Sequence, residues 1–415
     1  MQALQENLVS KSASYLAAHL ALLAGFLIAP AHADVPSNAR ALHERLLVLD
    51  THLDTALHFT RPGWSIVDSH DFDSDLSQVD YPRMVAGGLD GGFWVIYTAQ
   101  GPRTPEGLQA ARDSALMTTA RLREMVARHH DKFELALSAG DASRIEKSGK
   151  RVVYLSMENG YPLGKDISLL RTFYELGVRM FGPVHFANND LADSATDPKG
   201  PEWHGLSPLG KEVVAEANRL GIVLDASHAS DDVLDQLIEL SQTPIVLSHS
   251  ACRALTDHPR NVDDERLRKL AAAGGVIQIN SVYITPAYKN AEHEKEVAAL
   301  EARYGRMYTL PAEKVAEFAR ERRAIDAKYA VPRATFDDFL RHLLHALKVV
   351  GPDHVGIGAD WDGGGGVEGM NDVAALPRIT EALLAAGYSE QDLAKIWGGN
   401  VLRVLRSAEE HKQRQ

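Results

Sequence analysis

The chain has 415 residues, 45% hydrophobic and 24% charged, which supports a large core and excludes a fibrous or disordered class. A formal net charge of −12 without basic clusters argues against nucleic acid or an anionic membrane as partner. The single cysteine, Cys252, has no internal partner, so stability must come from the core or from metal.

Residues 1–33 differ from the rest. A polar start with Lys11 leads into the apolar run "YLAAHLALLAGFLIAPAHA", ending in Ala31-His32-Ala33 before Asp34. This predicts a signal peptide cleaved after Ala33, and so an exported, periplasmic or secreted protein. The run is short and interrupted by His19, which disfavours a retained membrane anchor, and no Cys stands at the cleavage site to accept a lipid. The leader holds one Lys and one Glu, so its removal leaves the net charge unchanged.

Beyond it, apolar β-type runs end at Asp54, Tyr97, Glu158, His185, His228, His249, Asn280 and Asp360. Amphipathic helical patterns separate most of them: "EGLQAARDSALMTTARLREMVARHH", "ISLLRTFYELG", "PLGKEVVAEANRLG", "DDVLDQLIELSQ", "DDERLRKLAAAG" and "TFDDFLRHLLHALKVVG", several stopping at Gly. Eight such alternations predict an α/β fold of the (β/α)8 TIM-barrel type over 34–415, with a doubly wound open sheet as the alternative. A charged helical excursion, about 284–333, follows the seventh strand; decoration, site cover and dimer contact are all compatible with it. Two closing helices follow the last strand, and Ser389 with Asp392 has the spacing of a capping box.

In a parallel barrel the carboxyl ends of the strands converge on one face, where active sites lie. His52 and Asp54, two apart on a strand, point to the same side, and Leu53 between them points to the packing side. Glu158, His185, His228, His249 and Asp360 end other strands. A single histidine at a strand end is more often a hydrogen-bonded structural residue. Several carboxylates and imidazoles buried in one mouth are costly without a cation, so the set together predicts a divalent metal site of two ions. Nitrogen and carboxylate donors without thiolate suit zinc, with manganese or iron as alternatives.

The segments "DTHLD", "MENG", "GVRMFGPVHFANND", "GLSPLGKEVVAEANRLGIVLDASH", "SHSACRALTDHPRNVDDE" and "GIGADWDGG" resemble, in order and spacing, the membrane (renal) dipeptidase family of zinc peptidases in the amidohydrolase superfamily. The resemblance runs from about Leu47 to Leu405. It implies two Zn2+ per subunit: His52 and Asp54 on one, His228 and His249 on the other, Glu158 bridging. It implies attack on the peptide bond of a dipeptide by a hydroxide held between the ions. His185 would steady the scissile carbonyl oxygen, Arg260 the substrate's free carboxylate, and Asp360 the proton of the attacking water. The implied partners are small dipeptides, with no nucleic acid or stable membrane partner; a homodimer is compatible. The family often has Asn where Leu53 stands and Leu-Pro where Thr55-Ala56 stand, which leaves the metal pair intact and bears on pocket specificity. An amidohydrolase acting on another small amide, a lactone or an N-acyl amino acid, and a non-catalytic periplasmic binding protein, are the alternatives.

Other features read blandly. His129, His130, His342 and His345 fall in helical patterns as surface or packing residues. Gly363 to Gly366 lack the lysine and context of a phosphate loop and read as a loop beside Asp360.

Overall fold

The computed structural model describes residues 36–414; the expected signal peptide lies outside them. Among the described residues no helix is long and apolar enough to cross a membrane.

Among the described residues nine strands form: β1 (Leu49–Leu53), β2 (Gly91–Tyr97), β3 (Phe133–Leu135), β4 (Arg151–Glu158), β5 (Val178–Gly182), β6 (Val223–Leu224), β7 (Val246–Ser250), β8 (Val276–Ile279) and β9 (Val355–Ile357). All pairings between them are parallel. One sheet runs β1-β2-β4-β5-β6 and a second β7-β8-β9, while β3 pairs only with the start of β4. Single bridges join the two sheets: Asp225 with Val246 between β6 and β7, and Leu53 with Trp361 between β1 and the exit of β9. With these two seams the eight main strands complete the expected (β/α)8 barrel.

Helices cover the outer faces, so the strands are buried on both sides and read as near-continuous apolar runs. Leu49, Phe93, Val152, Tyr154, Met180, Val223, Val246 and Val276, at or near the starts of their strands, pack with Val401, Val404 and Leu405 of the last helix, Asn400–Gln413. This apolar cluster closes the amino-terminal end of the barrel. The carboxyl-terminal end carries the polar groups.

Several predicted strand ends overshoot. β5 stops at Gly182, β6 at Leu224 and β9 at Ile357, three or four residues before His185, His228 and Asp360. His228 and Asp360 adopt left-handed backbone, φ 68° and 66°, which a ladder cannot continue through. β3 has no counterpart among the predicted strands. Leu53 is fully buried in the core, as expected, and the capping box at Ser389 and Asp392 forms.

The excursion is a helical hairpin, Ala291–Tyr304 and Ala312–Lys328, joined through a short turn at Met307–Thr309. Its helices carry a small core of their own in Leu300, Val315, Phe318 and Ala319, with the Tyr304 ring 5.6 Å from that of Phe318.

Candidate metal centre

The two seams are where the predicted ligands stand. At the β9/β1 seam, His52 Nε2 lies 3.2 Å from Asp54 Oδ2 and 3.9 Å from Asp360 Oδ1. At the β6/β7 seam, His228 Nε2 and His249 Nε2 are 2.8 Å apart. Glu158, ending β4, reaches both: its Oε2 is 3.7 Å from His52 Nε2, and its Oε1 is 3.0 Å from His228 Nε2 and 3.4 Å from His249 Nε2. His185 Nε2 stands 3.9 Å from the same Oε1. All seven predicted groups therefore meet in one buried cluster.

Their donor atoms form three overlapping sets with the spacing of a metal site: His52, Glu158 and His249; Glu158, His185 and His228; and His52, Asp54 and Asp360. Asp54 Oδ1, Glu158 Oε1 and His228 Nδ1 are buried and have no hydrogen-bond partner among the described residues. Buried polar atoms are normally satisfied, and here they converge with imidazole nitrogens. A nitrogen and oxygen donor set without sulfur, with atoms left unpaired, fits divalent cations.

A second layer stitches the seams and aims the ligands. Asp50 accepts from the backbone N of His52 at 2.8 Å and from that of Ala359, across the seam, at 3.0 Å. Asp225 does the same on the other side, accepting from Ser227 N and from Ser248 N, both at 2.9 Å. Ser248 Oγ also bonds Asp225 and lies 2.8 Å from His249 Nδ1, which leaves Nε2 facing the cluster. Such outer partners fix the orientation of metal-binding imidazoles.

The electrostatics are uneven. Burial alone would lower the pKa of His52, but the charges of Glu158 and Asp54 outweigh it and hold it well above the usual value. Burial, with Arg260 for His228 and with His52 and Arg260 for His249, holds those two imidazoles well below it. Burial would raise Glu158, yet His52, His185 and His228 hold it well below the usual carboxylate range. Burial pushes Asp360 up to about 7 and lowers His185.

Arg260 is 3% exposed. Its Nη2 donates to His249 O at 3.0 Å and its Nη1 to Ser250 Oγ at 3.4 Å, while Nε has no partner among the described residues. No carboxylate among the described residues pairs with it directly. A buried guanidinium without a paired acid is expensive, and it offers donors to an incoming anion.

Several site features escape the sequence reading. Asp50 and Asp225 were legible as a repeated signal, because both follow Val-Leu and precede a ligand: "VLDTH" and "VLDASH". Gly363 packs so closely that an added Cβ would fall 2.1 Å from Asp54 Oδ2 and 2.3 Å from Asp360 Oδ1. The glycine loop is pinned by Gly365 N to Asp360 O at 2.8 Å and Gly366 N to Ser281 Oγ at 2.7 Å. Phe186, 47% exposed, lays its ring 3.8 Å from that of His185, and Tyr97 packs on His185 from β2. Of the set-aside histidines, His342 is buried and His345 bonds Asp264 at 2.8 Å, as expected of packing residues; the expected helical placement of His129 and His130 is corrected, because the long helix ends at Arg128 and the two lie in the turn after it.

The model of the membrane dipeptidase family, peptidase family M19, matches residues 37–415. The dipeptidase tcpJ of Claviceps purpurea is 32% identical over 337 residues, covering 80% of this chain and 69% of that protein. Dipeptidase 3 of Rattus norvegicus is 29% identical over 400 residues, covering 95% and 68%. Among solved structures, the probable dipeptidase PvdM from Pseudomonas aeruginosa superimposes with a TM-score of 0.77 at 33% identity, over 90% of this chain and 98% of that one. A metallopeptidase from Rhodobacter sphaeroides, solved with a phosphinate mimic of the dipeptide L-Ala-D-Ala, gives a TM-score of 0.69 at 26% identity, over 87% and 99%. The barrel, its convergent mouth and these likenesses lead to one assignment: the chain belongs to the membrane dipeptidase family and is an enzyme of the metallopeptidase class.

Proposed function

We propose that the chain hydrolyses the peptide bond of dipeptides with two divalent cations, zinc by the character of the donors, at the barrel mouth. His52 and Asp54 would hold one, His228 and His249 the other, with Glu158 shared. When bound, the cations would lower the pKa of a water and polarise the scissile carbonyl. The observation that carries this reading is Glu158: one carboxylate oxygen faces His228 and His249, the other faces His52, and Oε1 has no hydrogen-bond partner.

The remaining groups supply the rest of the chemistry. Asp360, near neutral in pKa because it is buried, suits a group that takes a proton from the attacking water and returns it to the leaving amine. His185, neutral and beside Glu158, stabilises charge on the carbonyl oxygen. Arg260 binds the free carboxylate one residue beyond the scissile bond, which limits substrates to dipeptides.

The test is a panel of L-L and L-D dipeptides with metal content measured on the same sample, before and after chelation and zinc re-addition. Turnover should vanish on chelation and return with about two ions per chain. Absence of turnover in every metal state would overturn the reading. Arg260→Ala should lower kcat/KM by about 10²-fold for dipeptides and far less for their C-terminal amides. Equal loss on both would remove Arg260 from carboxylate recognition. Export with cleavage after Ala33 belongs to the same proposal, and the amino-terminal sequence of the mature protein tests it.

A further inference from the structure

The turn of the helical excursion lands beside the His52/Asp54 half of the barrel mouth. Thr60 Oγ1, just beyond the His52/Asp54 exit, donates to Tyr308 O at 2.6 Å. The Tyr308 hydroxyl donates at 3.3 Å to the carbonyl of Asp362, on the exit of β9, and its ring meets the edge of His58 at 5.3 Å. The residue after that carbonyl is Gly363, whose Cα lies against the carboxylates of Asp54 and Asp360. Tyr308 is thus held at both ends, and its half-buried ring stands beside the acid-rich half of the mouth.

The support behind it is continuous. Asp362 accepts from Thr55 Oγ1 at 2.6 Å and from Gln78 N at 2.6 Å, and lies 3.2 Å from His58 Nε2. Arg61 Nη1 lies 3.2 Å from His58 Nδ1 and donates to Asp75 O at 2.9 Å. Asp75 ends the short helix Phe72–Asp75, against which the second excursion helix packs. A turn held on both sides by packed, hydrogen-bonded elements keeps its side chain in place.

Arg260 stands at the opposite, β6/β7 seam, where it bonds His249 O and Ser250 Oγ. On the dipeptidase reading, on which this step rests, the substrate's carboxyl-terminal residue lies on that side and its amino-terminal residue on the His52/Asp54 side. We propose that the excursion is a wall of the substrate pocket and that Tyr308 is the residue that limits the size of the amino-terminal side chain.

The test measures kcat/KM of the metal-loaded full chain on two dipeptide series, X-Ala and Ala-X, with X running from Gly to Phe. In Tyr308→Ala the ratio of large to small X in the X-Ala series should rise about tenfold, the scale of one or two methylene groups in a pocket, while the Ala-X ratio stays as in the wild type. Tyr308→Phe keeps the ring and should hold the X-Ala ratio close to the wild type. Tyr308→Trp should lower it, and decides the matter if Tyr308→Ala does not fold. Unchanged X-Ala ratios across the folded variants, or equal shifts in both series, would overturn the assignment while leaving the dipeptidase reading intact. Wild-type inactivity on both series would overturn the two together.

Discussion

In the helical layer, His43 and His342 have both ring nitrogens occupied. His43 Nδ1 lies 2.7 Å from Thr380 Oγ1 and its Nε2 2.9 Å from Gly87 O; His342 Nδ1 accepts from Cys252 N at 3.1 Å, and its Nε2 lies 3.1 Å from Ile284 O. At the mouth, equally buried, His228 and His249 point Nε2 at each other, and His228 Nδ1 has no partner. Burial holds all four below the usual histidine pKa, so burial does not separate them. What separates them is satisfaction: His43 and His342 have both ring nitrogens held by their neighbours, whereas at the mouth Ser248 Oγ holds His249 Nδ1 alone and the facing Nε2 atoms are left to a cation.

The largest expected effect breaks the mouth side of the comparison. Glu158→Gln keeps the size of the group and removes the charge shared by both seams. It should lower kcat/KM by about 10³-fold or more and reduce bound metal below that of the wild type, since several kcal/mol of cationic stabilisation are withdrawn. Full metal content with near-normal activity would remove Glu158 from the shared position. Next in size, Asp225→Asn and Asp50→Asn touch no substrate yet should weaken metal binding by roughly 10- to 100-fold, as losses of outer partners do. Competition with a chelator of known affinity measures it. His342→Gln is the control: it should cost stability and leave the ions bound per chain unchanged, and loss of metal there would collapse the distinction between the two sets.

Much of this was legible because a parallel barrel writes itself as apolar runs ending in polar residues. Each such run marked a real strand, and the seven groups chosen at their ends do meet. β3 went unseen because "FEL" is too short for periodicity, and it forms only where the start of β4 leaves an edge open to it. The ends at His228 and Asp360 were drawn too late because nothing local announces left-handed backbone at a histidine or an aspartate. Asp50 and Asp225 carry a legible signal, Val-Leu-Asp before a ligand, but it lies inside the run and not at its polar end. Tyr308 carried no signal at all: its place depends on where a charged hairpin lands some 250 positions away from Thr60, which is tertiary information.

The smallest effect belongs to the satisfied set and comes from protons. His43 and His342 are buried, and burial brings each from 6.5 to about 4. As pH falls below about 6.5 the unfolded chain takes up protons at these positions and the folded chain does not until about pH 4. Their stabilising contribution is therefore whole above pH 6.5 and is lost progressively between 6.5 and 4. By linkage each should cost about 1 kcal/mol between pH 7 and 5.5. Urea unfolding of metal-free protein at the two pH values reads the loss, and His342→Gln, which cannot titrate, should show a smaller drop than the wild type by about that amount. An equal drop would mean that His342 is protonated in the fold, and that its hydrogen bonds to Cys252 N and Ile284 O do not hold a neutral ring.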